Sequence, residues 1–195
     1  VGGNGHVTGR ERSPRRLVDD LVSWTRQHWP GAEPTHTWSA QDYATASGLP
    51  YVGPLVPGQE DLLVAGGYSK WGMTNGVAAA HALASRILGG HTEWAEALRS
   101  WATPRLSGVP GALLVNASVG LQMGRGWIRP LVAGGRDGTP AEGEGEVHYD
   151  HLGTPSATSR VGGTVRRVSA VCPHLGGILA WNDAERSWDC PLHGS

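Results

Sequence analysis

Two cysteine–histidine pairs near the end of this chain constrain its structure more than any other feature. His174 follows Cys172 by two residues and His193 follows Cys190 by three, with fifteen residues separating the pairs. These are the only two cysteines among 195 residues, so a multi-disulfide framework is excluded. Because each thiol has an imidazole close behind it, the pattern predicts a metal site before it predicts a disulfide.

Two kinds of metal centre satisfy this set of ligands. A zinc ion accepts two thiolates and two imidazoles in a tetrahedron. A [2Fe–2S] cluster accepts the same set when two histidines replace two cysteines on one of its irons. The four ligand types by themselves leave both possibilities open.

The residues around the ligands resemble the ligand loops of the Rieske family of iron–sulfur proteins. The first loop reads Cys172-Pro-His174-Leu-Gly-Gly177 and the second reads Cys190-Pro-Leu-His193-Gly-Ser195. The segment from Trp181 into the second loop is similar to the family's connecting hairpin. The resemblance covers about residues 142–195 and implies a small all-β domain that transfers electrons.

Carried over to this sequence, the resemblance implies that Cys172 and Cys190 hold one iron while His174 and His193 hold the other. Rieske proteins often carry an additional cysteine in each loop, and the two form a disulfide. Gly177 and Leu192 stand at those places here, so this bridge is not expected. The family's barrel continues beyond the second loop, so we expect the all-β domain to be truncated at its C-terminal end.

The first hundred residues show a different texture, in which helical and extended segments alternate. Ser13 and Pro14 are suited to begin a helix whose apolar residues recur every three or four positions, and Pro30-Gly31 ends it. A buried strand is predicted from Asp61 to Gly66, followed by a helix from about Asn75. This alternation is typical of an α/β or α+β domain.

Three segments of this region resemble FAD-dependent oxidoreductases of the amino-acid and glycine oxidase type: residues 1–9, 38–54 and 62–76. The resemblance implies the C-terminal part of such an enzyme, FAD as cofactor, and an amine-like small-molecule substrate. Part of that family carries a C-terminal Rieske domain. The implied flavin contacts lie in one strand-to-helix turn: Gly66, Gly67, Lys70, Gly72, Met73 and Thr74.

The order of these segment types along the chain predicts three regions. Residues 1–101 form the flavoprotein part, residues 102–140 form a connector rich in glycine and proline, and residues 141–195 form the Rieske-type domain. A net charge of −1 argues against a nucleic-acid partner. No apolar run is long enough for a membrane span and no signal peptide is visible, so we expect a cytoplasmic protein.

Three functions follow as hypotheses. The first is a flavin-dependent oxidoreductase that exchanges electrons with a partner through a Rieske [2Fe–2S] centre. The second is an electron carrier in which the flavoprotein part is only a scaffold. The third is a zinc-stabilised binding module without redox chemistry. The nature of the bound metal separates the third hypothesis from the first two.

Overall fold

A computed structural model describes residues 1–101, 108–133, 138–150 and 153–194. The chain divides into two compact units. The first unit comprises Val1–Ala40 together with Ser118–Ser195, and the second comprises Gln41–Ala117. Among the described residues, no helix is sufficiently long and apolar to cross a membrane.

Helix α1 opens the first unit and spans Pro14–His28. The Ser13 hydroxyl accepts a hydrogen bond from the Arg16 N–H at 3.4 Å, and Pro14 occupies the first helical position, where no N–H is needed. The helix ends where the Trp29 N–H donates to the Thr25 carbonyl. The start and end predicted from the sequence are confirmed.

The second unit pairs a short hairpin with a helix. Strands β1 (Tyr51–Pro54) and β2 (Leu63–Gly66) are antiparallel, and helix α2 spans Gly72–Ile87. A 3₁₀-helix follows over Glu93–Leu98. The small core of this unit consists of Val52, Ala79 and Ala82, with partly buried apolar residues packed around it.

Helix α2 begins three residues earlier than its sequence pattern predicts. Ser69 and Lys70 adopt left-handed backbone conformations, with φ of 50° and 71°, and these reverse the chain after β2. The helix can therefore start at Gly72, and Met73 and Thr74 belong to its first turn. Local turn geometry of this kind leaves little signal in hydrophobic periodicity.

A 25-residue helix, α3, spans Val109–Ala133, within the residues 102–140 that the sequence predicts to be a connector rich in glycine and proline. Pro110 lies in the first turn, where a missing N–H costs nothing. Interior glycines lower helix propensity by about 1 kcal/mol each without forbidding the helix. The density of glycine and proline therefore does not predict whether this segment is helical.

The C-terminal residues form small antiparallel sheets, as an all-β domain requires. Strands β3 (Gly145–Tyr149), β4 (Pro155–Val161) and β5 (Thr164–Ser169) form a meander, and β6 (Ala180–Asn182) pairs with β7 (Ser187–Asp189). Ala157, Ala170 and Ile178 form the core between them. The observed helices and small sheets are consistent with the predicted classes.

Candidate functional site

Two short loops carry the cysteine–histidine pairs, and each loop is closed by its own backbone hydrogen bonds. In the first loop, the Cys172 N–H donates to the Gly177 carbonyl at 2.8 Å and the Gly176 N–H donates back to the Cys172 carbonyl. In the second loop, Cys190 and Gly194 exchange a similar pair of hydrogen bonds at 3.1 and 2.8 Å. Both loops are therefore preformed turns that hold their cysteines at fixed positions.

The two loops bring potential metal-ligating atoms together. The donor atoms of Cys172, Cys190 and His193 all lie within 4.8 Å of one another, and the Cys172 Sγ is 3.2 Å from His193 Nε2. The fourth predicted ligand, His174, lies beside them, with its ring centroid 4.6 Å from that of His193. Residues of the two loops that lie 16 positions or more apart in sequence thus meet at one place.

The thiols and the imidazoles differ in their exposure to solvent. Cys172 and Cys190 are buried, with 6% and 2% of their surface exposed. His193 is half-buried and His174 is exposed. The donor set therefore has a closed thiol side and an open imidazole side.

The environment separates the two thiols chemically. Hydrogen bonds from the backbone N–H groups of Leu175 and then His174 lower the pKa of Cys172 to about 7, against burial, which raises it. Burial raises the pKa of Cys190, and the neighbouring Cys172 adds to this effect. Because a metal binds thiolates, loading this site at neutral pH must release at least the Cys190 proton.

Gly177 and Leu192 lie against each other, one from each loop. A Cβ atom added to Gly177 would come within 2.7 Å of Leu192 Cδ1 and within 3.3 Å of Cys190 Sγ. The absence of a side chain at position 177 therefore allows the two loops to approach. The sequence identified both positions through their place in the motif, and the structure adds the steric reason.

Side chains outside the motif hold the loops in place. The Trp127 indole N–H on α3 donates to the Gly176 carbonyl at 3.1 Å. The buried Asp189 carboxylate, immediately before Cys190, accepts a hydrogen bond from the Asn182 amide at 3.0 Å. Sequence reasoning missed these residues, because nothing in a single sequence indicates which distant side chain contacts which loop.

The predicted flavin contacts lie together in the second unit. Gly66 ends β2, Gly67 adopts a left-handed φ of 74°, and a Cβ on Gly67 would collide with the Thr45 side chain. The Lys70 N–H donates to the Asp42 carboxylate. The remaining predicted contacts form the first turn of α2: Gly72, Met73 and Thr74.

The first turn of α2 is chemically suited to an electron-rich group. The opening N–H groups of a helix have no partner within the helix, and the helix dipole favours negative charge there. Met73 is 92% exposed, so the turn is accessible in this unit. In the first unit, two buried thiols beside two imidazoles are a donor set that fits a [2Fe–2S] cluster of mixed ligation, and it also fits zinc.

Comparisons with known proteins find similarity both to FAD-dependent oxidoreductases and to a Rieske iron–sulfur protein. The family model described as FAD dependent oxidoreductase matches residues 1–86. The chain is 30% identical over 158 residues to the putative Rieske 2Fe-2S iron-sulfur protein YhfW of Bacillus subtilis. That match covers 81% of this chain and 31% of the relative, so the chain spans about a third of the relative's length.

Shorter matches link the chain to iron-sulfur subunits of cytochrome b6-f complexes. It is 50% identical over 34 residues to the cytochrome b6-f complex iron-sulfur subunit of Chlorobaculum thiosulfatiphilum, covering 17% of this chain and 19% of that protein. It is 54% identical over 28 residues to subunit 1 of the same name from Nostoc, covering 14% of this chain and 16% of that protein. No solved structure matches the chain. Residues 1–86 thus match the FAD-dependent oxidoreductase family model, and most of the chain is similar in sequence to a Rieske 2Fe-2S protein.

Proposed function

We propose that this chain is part of a flavin-dependent oxidoreductase that exchanges electrons through a Rieske-type [2Fe–2S] centre. Cys172 and Cys190 ligate one iron of the centre, and His174 and His193 ligate the other. The substrate is an amine-like small molecule, and the electrons pass to or from a redox partner. The FAD-family match over residues 1–86 and the Rieske homology support this combination.

The convergence of the two loops carries the proposal. Cys172, Cys190 and His193 come from loops that are separate in sequence, yet their donor atoms lie within 4.8 Å of one another. The His174 ring lies against the His193 ring. Two thiols and two imidazoles grouped in this way are the ligands that a Rieske centre requires.

The chain's own residues perform three tasks at such a centre. Backbone hydrogen bonds fix the two loops, so the ligands need little reorganisation when the group binds. Burial of the thiols excludes water from the sulfur side. The exposed His174 forms the edge through which a partner can approach. When bound, the cluster supplies one-electron chemistry between the substrate side and the partner.

The proposal is tested by analysing anaerobically purified protein for metal and acid-labile sulfide, followed by EPR after reduction. We expect iron and sulfide in equal amounts and a Rieske-type signal. Iron without sulfide, or no metal in the purified protein, contradicts the proposal.

Substitution of the ligands sharpens this test. Cys172→Ser and Cys190→Ser should abolish the bound iron, and His174→Ala should abolish the Rieske-type EPR signal. His36→Ala is the matched control, because His36 is an exposed imidazole outside both loops. Retention of the wild-type signal in His174→Ala would remove this residue from the ligand set.

The flavin half of the proposal concerns the turn between β2 and α2. The six residues proposed to contact FAD lie in this turn: Gly66, Gly67, Lys70, Gly72, Met73 and Thr74. The turn lies within the family match of residues 1–86, and its helix N-terminus favours the anionic edge of a reduced flavin.

Flavin binding is measured on the native protein that contains this chain. We expect a flavin absorption spectrum and oxidation of amines with release of ammonia or aldehyde. Thr74→Pro removes the Thr74 N–H, which is a proposed flavin contact. Because residue 74 lies in the first turn of α2, where N–H groups have no partner within the helix, this substitution costs the helix no hydrogen bond. A protein that is purified without flavin, yet is redox-active, supports the simple electron carrier instead.

One observation favours zinc as a second candidate. The three donor atoms within 4.8 Å are close enough to bind a single ion, and zinc accepts two thiolates with imidazole ligands. Zinc equimolar with the protein, in protein purified from iron-replete cells, would support a zinc-stabilised binding module instead of a Rieske centre. Iron with sulfide would exclude it.

A further inference from the structure

A segment of the FAD-family region, defined as residues 1–86, packs directly on the second ligand loop. Gly9 lies in a turn closed by the Arg10 N–H, which donates to the Val7 carbonyl at 3.1 Å. A Cβ on Gly9 would approach the Pro191 nitrogen within 2.7 Å and the Cys190 carbonyl carbon within 2.8 Å. The backbone of residue 9 therefore lies as close to the Cys190–Pro191 peptide as packing permits.

Arg10 adds a polar contact at the same place. Its Nε donates to the Pro191 carbonyl at 2.9 Å, and its guanidinium also donates to the Ser118 hydroxyl on α3 at 3.1 Å. Arg10 is partly buried, so its side chain is held between the loop and the helix. One arginine thus connects the second ligand loop, which lies 181 residues away in sequence, to α3.

We propose that Gly9 and Arg10 are positioning residues for the metal centre, through which the FAD-family region fixes the second ligand loop and tunes the centre's reduction potential. The inference rests on the proposed function, in that the tuned group is the [2Fe–2S] centre. Neither residue belongs to the cysteine–histidine motif. They act on Cys190 and His193 through the Cys190–Pro191 peptide.

Gly9 acts through shape. Its φ of 69° suits glycine, and the three nearest atoms to an added Cβ are all backbone atoms that cannot rotate away. Any side chain at position 9 must push the Cys190–Pro191 peptide or displace the N-terminal segment. A displaced loop carries its thiol and imidazole away from Cys172, with which they must share one centre.

Arg10 acts through both geometry and charge. Its hydrogen bond to the Pro191 carbonyl fixes the Pro191–Leu192 peptide of the second ligand loop. Its permanent positive charge stabilises the more negative, reduced form of a nearby centre. Loss of the charge should therefore lower the reduction potential. Loss of the guanidinium group with retention of the charge should instead loosen the loop, because the side chain no longer bridges the Pro191 carbonyl and the Ser118 hydroxyl.

The steric part is tested by comparing Gly9→Ala with Gly31→Ala in the purified holoprotein. Gly31 has a similar left-handed φ of 89°, yet nothing lies within 4 Å of an added Cβ, so it controls for backbone strain alone. Two quantities are measured: the rate at which a chelator removes iron, and amide hydrogen exchange at Cys190 and Gly194.

Residues that orient metal ligands from outside the ligand set typically change metal affinity about 10- to 100-fold when substituted. We expect Gly9→Ala to accelerate iron loss by about this factor and to raise exchange at both amides, with Gly31→Ala like wild type. Equal behaviour of the two variants overturns the inference. Absence of iron in the wild type refutes the proposed function instead, and the exchange comparison still tests the loop contact.

The electrostatic part is tested by redox titration of Arg10→Met and Arg10→Lys, monitored by EPR. Arg10→Met should lower the midpoint potential, and Arg10→Lys should restore most of it while still weakening loop protection. Arg16→Met removes the same charge from an exposed side chain on α1 and is the control. A potential unchanged in Arg10→Met, or lowered equally in Arg16→Met, overturns the assignment.

Discussion

At the scale of single residues, the close approach of the Gly177 backbone to side chains of the other loop shapes the candidate metal centre. Gly177 and Leu192 meet at the contact between the two ligand loops, and Cys190 Sγ lies just beyond. Position 177 has no left-handed φ, so its need for glycine is purely steric. This separates its behaviour from that of Gly9, where strain and contact act together.

Gly177→Ala should therefore weaken the centre by pressing on Leu192 and on the Cys190 sulfur. We expect faster loss of iron to a chelator and a fall in melting temperature equivalent to about 1–3 kcal/mol of overpacking. Gly177→Ala/Leu192→Ala should recover part of the loss, because the atoms nearest the new methyl are removed. A single variant that matches wild type in both measurements would show that the loops yield easily.

A second prediction at this scale concerns Glu142, which precedes β3 and whose side chain contacts the turn between β4 and β5. Its carboxylate accepts hydrogen bonds from the N–H groups of Gly163 and Gly162 at 3.0 and 2.6 Å, which lower its pKa, with Arg160 contributing. A lowered pKa in the folded state means that the contribution to stability is present above the ordinary pKa of about 4.5 and is lost as pH falls through the folded-state value.

Glu142→Gln should consequently lower the melting temperature at pH 7, and the difference from wild type should vanish at acid pH, below the folded-state pKa. Thermal unfolding between pH 2 and pH 7, roughly the range over which carboxylates titrate, measures this. Glu146→Gln, at an exposed position of β3 in the same sheet, is the control. A difference that persists unchanged into acid would show that the hydrogen bonds do not depend on the carboxylate's charge.

At the scale of secondary-structure elements, α3 supports the first ligand loop. The Trp127 indole donates to the Gly176 carbonyl, the Tyr149 hydroxyl donates to the Trp127 carbonyl, and a Cβ on Gly126 would approach Ile178 within 3.2 Å. The helix therefore approaches closely at Gly126 and is fixed by two hydrogen bonds at the next residue, Trp127. These contacts lie next to Cys172 without including it.

Trp127→Phe should test this support, because it keeps an aromatic ring and removes the N–H donor together with the second ring of the indole. We expect a loss of about 0.5–1.5 kcal/mol in unfolding free energy and increased amide exchange at Gly176, measured by denaturant titration and hydrogen exchange. Trp94→Phe, on an exposed site in the second unit, is the control. If exchange at Gly176 is the same in both variants, the indole does not stabilise the loop.

The elements differ in how far the sequence could predict them. The end signals of α1 are local, since Ser13, Pro14 and Pro30 each act within one turn, and the structure confirms them. The β3–β5 meander follows from short extended runs separated by turns. Helix α3 was missed, because glycine and proline predict a break only when no packing compensates, and packing is invisible in a single sequence.

The same distinction applies to the site. Its four proposed ligands could be predicted because they lie in two short cysteine–histidine motifs. Gly9, Arg10 and Trp127 could not be, because they reach the loops only after residues more than 45 positions away fold against them. The division into 1–101, 102–140 and 141–195 remains a prediction, and the structure groups Val1–Ala40 with the C-terminal residues.

That grouping depends on a cluster of hydrogen bonds at the scale of the whole first unit. Asp183, in the turn between β6 and β7, accepts hydrogen bonds from the Ser13 hydroxyl at 2.6 Å and from the Arg15 N–H at 2.8 Å. A carboxylate at the N-terminus of α1 also interacts favourably with the helix dipole. The Arg15 guanidinium completes the contact on the carbonyls of Asp183 and Ala184.

Asp183→Ala should therefore separate α1 from the hairpin that leads to Cys190. We expect about 1–2 kcal/mol of lost stability, because charge-assisted hydrogen bonds are stronger than neutral ones while partial exposure weakens them. Asp183→Asn retains one acceptor and should lie between this variant and wild type. Asp20→Ala, an exposed carboxylate on α1, is the control.

The decisive measurement is hydrogen exchange across the first unit in these variants. If Asp183 joins the N-terminal segment to the hairpin, exchange rises in α1 and at Cys190 together, while β3–β5 stay protected. A rise confined to α1 would mean that its cap is local and that the N-terminal segment supports the ligand loop only through Gly9 and Arg10. The FAD-family region would then support the metal centre through a single short contact rather than through the whole of α1.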